Sequence, residues 1–256
     1  MVEVGTGILF AAFIVAMTRF ACQGIHEVRP VEFWRYGRVL YHLILICLLV
    51  IATGTDFREY IIPDEVIIFG TIVGIAGATI SGDLQMVHLW VDWNDAFPGL
   101  RGPYIPAWIA AHQHLHGLVW SLAGAAAGGG ITWLVRWISS TILGHEAMGF
   151  GDVTLMAMIG SFIGWQPIIF VLALAPLCGL IVGLLVRIVT GKTYVPFGPY
   201  LSAAAVLVLF TWRWLWVPTR SIFGHWPTLL MLGGVSCAAF VGLLILVRIY
   251  RAIPVR

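Results

Sequence analysis

Charged residues are scarce in this chain. Of its 256 residues, 10% are Asp, Glu, Lys or Arg, 60% are hydrophobic, and the mean hydropathy is +0.96. Soluble globular proteins carry about 25% charged residues. The composition therefore excludes an ordinary soluble domain and predicts an all-α polytopic membrane protein. The net charge of +2 is too small to favour nucleic acid as a partner.

Paired cysteines are absent as well. Four cysteines stand singly in or beside apolar segments, and no C-x-x-C pair occurs, so neither a disulfide framework nor a zinc site is indicated. Alternating histidines at His112, His114 and His116 would suit metal ligands on an extended strand. They precede an apolar segment and have no run of carboxylates beside them, which favours interfacial histidines. We expect no metal and no cofactor.

Apolar segments recur along the whole chain, and we interpret them as about eight transmembrane helices in one bundle. Each crossing of the hydrocarbon needs roughly 20 residues. The segments are 4–21, 39–54, 65–81, 117–143, 153–165, 168–189, 200–215 and 229–247. Residues 1–256 are expected to form a single integral membrane domain. Its motif-bearing core covers 39–215, and its long extramembrane loop covers 82–116.

Basic residues indicate how these segments are oriented. A cluster near the C-terminal spans would lie on one side, which the positive-inside rule makes cytoplasmic. The cluster comprises Arg187, Lys192, Arg248, Arg251 and Arg256. The polar turns around Asp56 and Asp152 then also face the cytoplasm, and the long loop faces outward. Arg29, Arg35 and Arg38 conflict with this assignment because they would lie outside.

Two aspartates stand at the ends of apolar segments. Asp56 follows its span, Asp152 precedes its own, and both are placed on the same side. A carboxylate at the edge of the hydrocarbon is costly, which indicates a functional role. Two carboxylates brought close together would share one proton, so that one activates water and the other protonates a carbonyl oxygen. Simpler roles are a helix cap for Asp152 and an ion pair with Arg58 for Asp56.

Three segments resemble those of a known family. D-F-R-E-Y-I-I-P-D at 56–64 resembles the first active-site segment of the type IV prepilin peptidases, which are intramembrane aspartic peptidases with a G-x-G-D motif. E-A-M-G-F-G-D-V-T-L-M-A at 146–157 resembles the second segment, and V-P-F-G-P-Y at 195–200 contains the family's P-F-G-P turn. The three occur in the family's order across residues 56–200.

The resemblance implies cleavage of the basic leader from prepilins or pseudopilins at the cytoplasmic face of a bacterial-type inner membrane, in type IV pilus or type II secretion systems. Asp56 and Asp152 inherit the catalytic role. The implied partners are the substrate and the lipid bilayer. The motifs also mark supporting residues: Gly149, Gly151, Pro63, Asp64, Glu146, Pro196, Phe197, Gly198 and Pro199.

The chain departs from the family at two points. Many members carry a lysine where this chain has Thr154, and larger members carry an insert with two C-x-x-C pairs and methylate the new N-terminus. The sequence shows no such insert, so we expect no N-methyltransferase activity. Two other classes of function stay open: a proton- or ion-coupled transporter, and a non-catalytic assembly factor for a pilus or secretion machine.

Overall fold

The computed structural model describes residues 2–25, 28, 30–90, 108, 111–146, 148–190 and 196–252. Within these ranges the chain forms eight α-helices and one 3-10 turn, Gly82–Leu84, with no strand. The α-helices are α1 Val2–Arg19, α2 Glu32–Glu59, α3 Asp64–Ile80, α4 Gln113–Leu143, α5 Phe150–Ile163, α6 Trp165–Thr190, α7 Gly198–Phe223 and α8 Trp226–Ala252. This confirms the predicted all-α bundle.

Successive helices run in alternating directions between two ends of the bundle. One end, called here the aspartate end, holds the C-terminus of α2 and the N-termini of α3, α5 and α7. At the opposite end, Arg35 of α2 donates to the Thr18 carbonyl of α1, and His114 of α4 bonds the Thr79 carbonyl of α3. The helix ends that carry the sequence motifs are thereby collected at one face.

Five helices are long and apolar enough to cross a membrane: α2, α4, α6, α7 and α8. The chain is therefore an integral multi-pass membrane protein. The apolar helix α5 is shorter than these five: its 14 residues extend about 21 Å, compared with the roughly 30 Å of hydrocarbon. From Asp152 onward nearly every residue of α5 is buried, since α3 and α4 pack around it.

Glycines allow this close packing. A Cβ atom on Gly124 of α4 would collide with the carbonyl oxygen of Gly160 on α5, and one on Gly128 would collide with that of Met156. Gly74 of α3 similarly faces the Ser161 side chain of α5. These glycines therefore mark close helix contacts, as is typical of membrane bundles.

Helix boundaries differ from the predicted spans at several places, and two of these differences change the assignment of polar residues. α2 begins at Glu32 rather than at 39, so Arg35 and Arg38 belong to the helix and not to a polar connector. The break between α5 and α6 falls at Gly164, whose φ of 83° favours glycine, rather than at Gln166 and Pro167. Pro167 lies in the first turn of α6, where proline is tolerated.

The predicted long outward loop is only partly a solvated loop. Its described beginning is packed inside the bundle: Met86 and Val87 are fully buried, and Trp212 donates to the Met86 carbonyl at 3.2 Å. Asp83 accepts a hydrogen bond from the Val31 N–H. Residues 91–107, with Asp92 and Asp95, lie outside the described residues, as do Arg29, Lys192 and Arg256.

The three histidines cannot line an extended strand, since α4 begins at Gln113; His116 is buried and accepts from the Leu89 N–H at 3.2 Å. In the described part of the chain, no group of three potential ligands is arranged to hold a metal. Trp212 and Trp216 of α7 are buried, and their rings stack with centroids 5.2 Å apart.

Candidate active site

Asp56 lies within the last turn of α2. The sequence suggested that the helix stops before Asp56, but it continues to Glu59 and closes where Tyr60 adopts a left-handed conformation and donates its N–H to the Asp56 carbonyl at 3.1 Å. The side chain of Asp56 is 5% exposed. Its carboxylate accepts a hydrogen bond from the backbone N–H of Gly198, the first residue of α7.

Asp152 occupies the first turn of α5, and its side chain is 7% exposed. The backbone N–H of Gly149, immediately before the helix, donates to its carboxylate. A carboxylate in the first turn is also favoured by the helix dipole. Asp152 thus has the local environment of a helix-start aspartate.

The two carboxylates are close enough to interact electrostatically. Ile62 occupies the space beside them: a Cβ atom on Gly198 would lie 3.2 Å from its Cδ1, and one on Gly151 would lie 3.6 Å from the same atom. A Cβ on Gly198 would also collide with the Asp56 carboxylate. The structure therefore brings α2, α5 and α7 together at one buried pair of aspartates.

The P-F-G-P turn lies beside this pair. Pro196, Gly198 and Pro199 are buried and Phe197 is half-buried, with its ring 5.9 Å from that of Tyr200 in a T-shaped contact. Pro199 falls in the first turn of α7, as proline at a helix start predicts. The turn places the N-terminus of α7 against Asp56.

Three of the other residues singled out from the sequence have different surroundings. Asp64 is exposed and does not cap α3; the capping position is Pro63, and no side-chain hydrogen bond caps the helix. Glu146, 79% exposed at its side chain, forms an ion pair with Arg136 at 2.8 Å. Arg58 is exposed, and no ion pair joins it to Asp56 among the described residues, since positions two apart on a helix do not face each other.

Arg136 and Ile62 support the site but were not identified from the sequence. Arg136 of α4 donates from Nε to the Met148 carbonyl at 3.0 Å and from Nη2 to Glu146, which fixes the turn before Gly149. A contact across 10 to 12 residues leaves no periodic signal. For Ile62, the following Pro63 does signal extended backbone, but not the contact with two glycines. Thr154, at the family's lysine position, donates to the Gly151 carbonyl of its own helix at 3.0 Å.

Comparison with known proteins agrees with this arrangement. The model of the type IV leader peptidase family matches residues 43–184, more than half of the chain, and this range contains Asp56 and Asp152. The chain is also similar to the prepilin leader peptidase/N-methyltransferase of Xanthomonas campestris pv. campestris, with 28% identity over 183 residues covering 69% of this chain and 53% of the relative. The Pseudomonas aeruginosa protein of the same name is 38% identical over 92 residues, covering 35% and 32%.

The chain spans about half the length of the curated relatives that it matches first. Their names include an N-methyltransferase activity, so the expectation of cleavage without methylation stays a prediction. No solved structure matches the chain. The family match covers much of the bundle core, both aspartates and the first two of the three motifs, and it ends before the P-F-G-P turn. The chain therefore belongs to the type IV leader peptidase family.

Proposed function

We propose that this protein is an intramembrane aspartic endopeptidase that removes the leader peptide from a type IV prepilin or pseudopilin, with Asp56 and Asp152 as its catalytic pair. The observation that carries the proposal is that two carboxylates, each less than a tenth exposed, lie close enough to interact electrostatically at one end of a membrane helix bundle. Membership of the leader peptidase family and the names of the relatives support the substrate class.

The environment of the pair favours a shared proton. Two ionised carboxylates in contact repel strongly where water is largely excluded, and one proton held between them removes that repulsion. The ionised member can then accept a proton from a water molecule whose oxygen attacks the scissile carbonyl carbon. The protonated member gives its proton to the carbonyl oxygen. When the C–N bond breaks, the proton taken from water passes to the leaving amine.

Backbone groups hold both carboxylates for this reaction. The Gly198 N–H orients Asp56, and the Gly149 N–H orients Asp152. Gly149 is exposed and Gly151 half-buried, so an extended substrate can lie against bare backbone beside Asp152. The substrate would keep its basic leader in the cytoplasm and its apolar helix in the membrane, with the scissile bond at the boundary.

A leader-cleavage assay on purified protein tests the proposal. Asp56→Asn and Asp152→Asn should each reduce cleavage of a prepilin-type peptide by about a thousandfold or more, because an amide cannot exchange the proton. The double variant should lose little beyond either single one, since residues that act as a unit are non-additive. Glu65→Gln, an exposed acid in the first turn of α3, is the matched control and should retain activity.

Substantial cleavage by both single variants at matched expression would contradict the catalytic pair and favour a transport or assembly role. The mass of the cleaved product, measured with a methyl donor supplied, also tests the expected absence of methylation. A free N-terminal amine is expected. A product heavier by one methyl group would show that this chain carries the second activity named for its relatives.

A further inference from the structure

A cavity of about 870 Å³ opens at the end of the bundle opposite to the aspartates. Its wall is formed by the end of α1, the segment that follows it, the beginning of α2 and the last turns of α7. Four arginines line it: Arg35, Arg38, Arg213 and Arg220. None of the described residues in its wall is acidic. A cavity with this lining is suited to an anion.

Arg38 provides the second observation. Its side chain is 2% exposed, and its Nε donates to the Asp83 carbonyl at 2.8 Å. Its Nη2 is buried and has no hydrogen-bond partner among the described residues. Leaving a donor of a buried guanidinium unpaired is costly, and such donors match the oxygens of phosphate or carboxylate groups. An oxyanion in the cavity would satisfy it.

The remaining wall indicates what else the ligand carries. Met17, Ile25 and Val28 are buried in the wall, whereas Trp214 and Val217 are exposed. Gln23 donates from Nε2 to the Leu209 carbonyl, and its Oε1 is buried with no hydrogen-bond partner in the described part of the chain. Apolar surface therefore accompanies the arginines, and Gln23 offers an acceptor for a hydroxyl or ammonium group.

The position of Arg38 along α2 also bears on the identity of the anion. Arg38 lies six residues into α2, about 9 Å from the beginning of a helix long enough to cross the membrane, and therefore near one boundary of the hydrocarbon. Arg35 and Arg213 are exposed. Buried arginine, exposed arginines and apolar wall together match a phosphodiester with attached acyl chains.

We propose that this cavity binds a phosphate oxyanion supplied by a phospholipid headgroup, with Arg38 as the buried anchor and Arg35 and Arg213 as its outer contacts. The site is separate from the aspartate pair, so the proposal does not depend on the peptidase function. Free inorganic phosphate has the same oxyanion chemistry but lacks the acyl chains that the apolar wall would contact.

Native mass spectrometry of the full chain, released from detergent, measures the proposed binding. The probes are a short-chain phosphatidylglycerol, inorganic phosphate, and a diacylglycerol with the same acyl chains but no phosphate. We expect one phosphatidylglycerol per chain and no comparable binding of diacylglycerol. Because charged hydrogen bonds contribute strongly, Arg35→Gln with Arg213→Gln should weaken phosphatidylglycerol binding by about tenfold or more.

Both substituted arginines are exposed, so this double variant is expected to fold even if Arg38→Gln does not; a monodisperse elution profile and unchanged thermal unfolding check this. The matched control is Arg187→Gln with Arg248→Gln, at the aspartate end, which should bind as the wild type does. Inorganic phosphate binding lost in the same cavity variant would support the oxyanion site with a free anion as its source. Equal binding by the cavity and control variants, or equal binding of diacylglycerol, would overturn the proposal.

Discussion

Asp56 depends on one glycine for its position. Gly198 donates its N–H to the carboxylate, and its missing side chain leaves the space that the carboxylate occupies. The same absence lets Ile62 pack against the beginning of α7. The missing Cβ of residue 198 therefore leaves room for the Asp56 carboxylate beside the beginning of α7.

Gly198→Ala should reduce activity more than stability. The added Cβ would collide with the end of the Asp56 side chain, which can rotate away, so the fold survives while the carboxylate is displaced. Misplacement of a catalytic group by about 1 Å can lower the rate by about a hundredfold. Cleavage assays and thermal unfolding should be measured together. Gly54→Ala, on the same helix as Asp56 with open space around it, is the control and should leave cleavage unchanged. Equal activity of the two variants would show that Gly198 does not position Asp56.

Asp152 is buried because the helix that carries it, α5, packs against neighbouring helices. α5 is short, and α3 and α4 pack around it through Gly74, Gly124 and Gly128. Ser121 of α4 also donates to the Ser161 carbonyl of α5 at 2.7 Å. This packing holds the first turn of α5 at the depth where α2 ends.

Gly124→Ala should destabilise the bundle. Its Cβ would collide with the backbone carbonyl of Gly160, which cannot turn aside, and overpacking of this kind costs about 1–3 kcal/mol. Gly130→Ala on the same helix meets no atom within 4 Å and should be neutral or stabilising by up to about 1 kcal/mol. Thermal unfolding in detergent compares the two. A Gly124→Ala protein as stable as the Gly130→Ala protein would show that α4 and α5 do not pack this closely.

Both ends of the bundle carry arginines, and their distribution bears on how the bundle is oriented in the membrane. Arg187 and Arg248 lie at the aspartate end, but Arg35, Arg38, Arg213 and Arg220 line the cavity at the opposite end. The positive-inside rule therefore does not decide the orientation by number alone. If the cavity arginines bind a phosphate group, that ligand accounts for their positive charge without requiring that this end face the cytoplasm.

We predict that the aspartate end faces the cytoplasm. After removal of the four native cysteines, Glu59→Cys and His145→Cys should resist an impermeant thiol reagent in intact cells and react after lysis, because both positions are exposed at that end. His225→Cys, in the exposed turn between α7 and α8, should react in intact cells and serves as the control. The reverse labelling pattern would invert the bundle and exclude cleavage at the cytoplasmic face.

The amino-acid sequence by itself determined the helical membrane bundle, the three motifs and the two aspartates. Apolar runs and glycine-flanked carboxylates are local patterns, so composition and spacing are enough to detect them. The exact helix ends did not follow from the sequence. α2 continues past Asp56 to Glu59, and α5 ends at Ile163, where Gly164 adopts a positive φ.

Only the tertiary structure decided which groups meet. The Gly198 N–H at Asp56, Ile62 beside Gly151, and Arg136 on the Met148 carbonyl each join residues from different elements. The arginine cavity likewise combines α1, α2 and α7. Such contacts depend on how close two helix backbones approach, which glycines permit but which no pattern along one helix specifies.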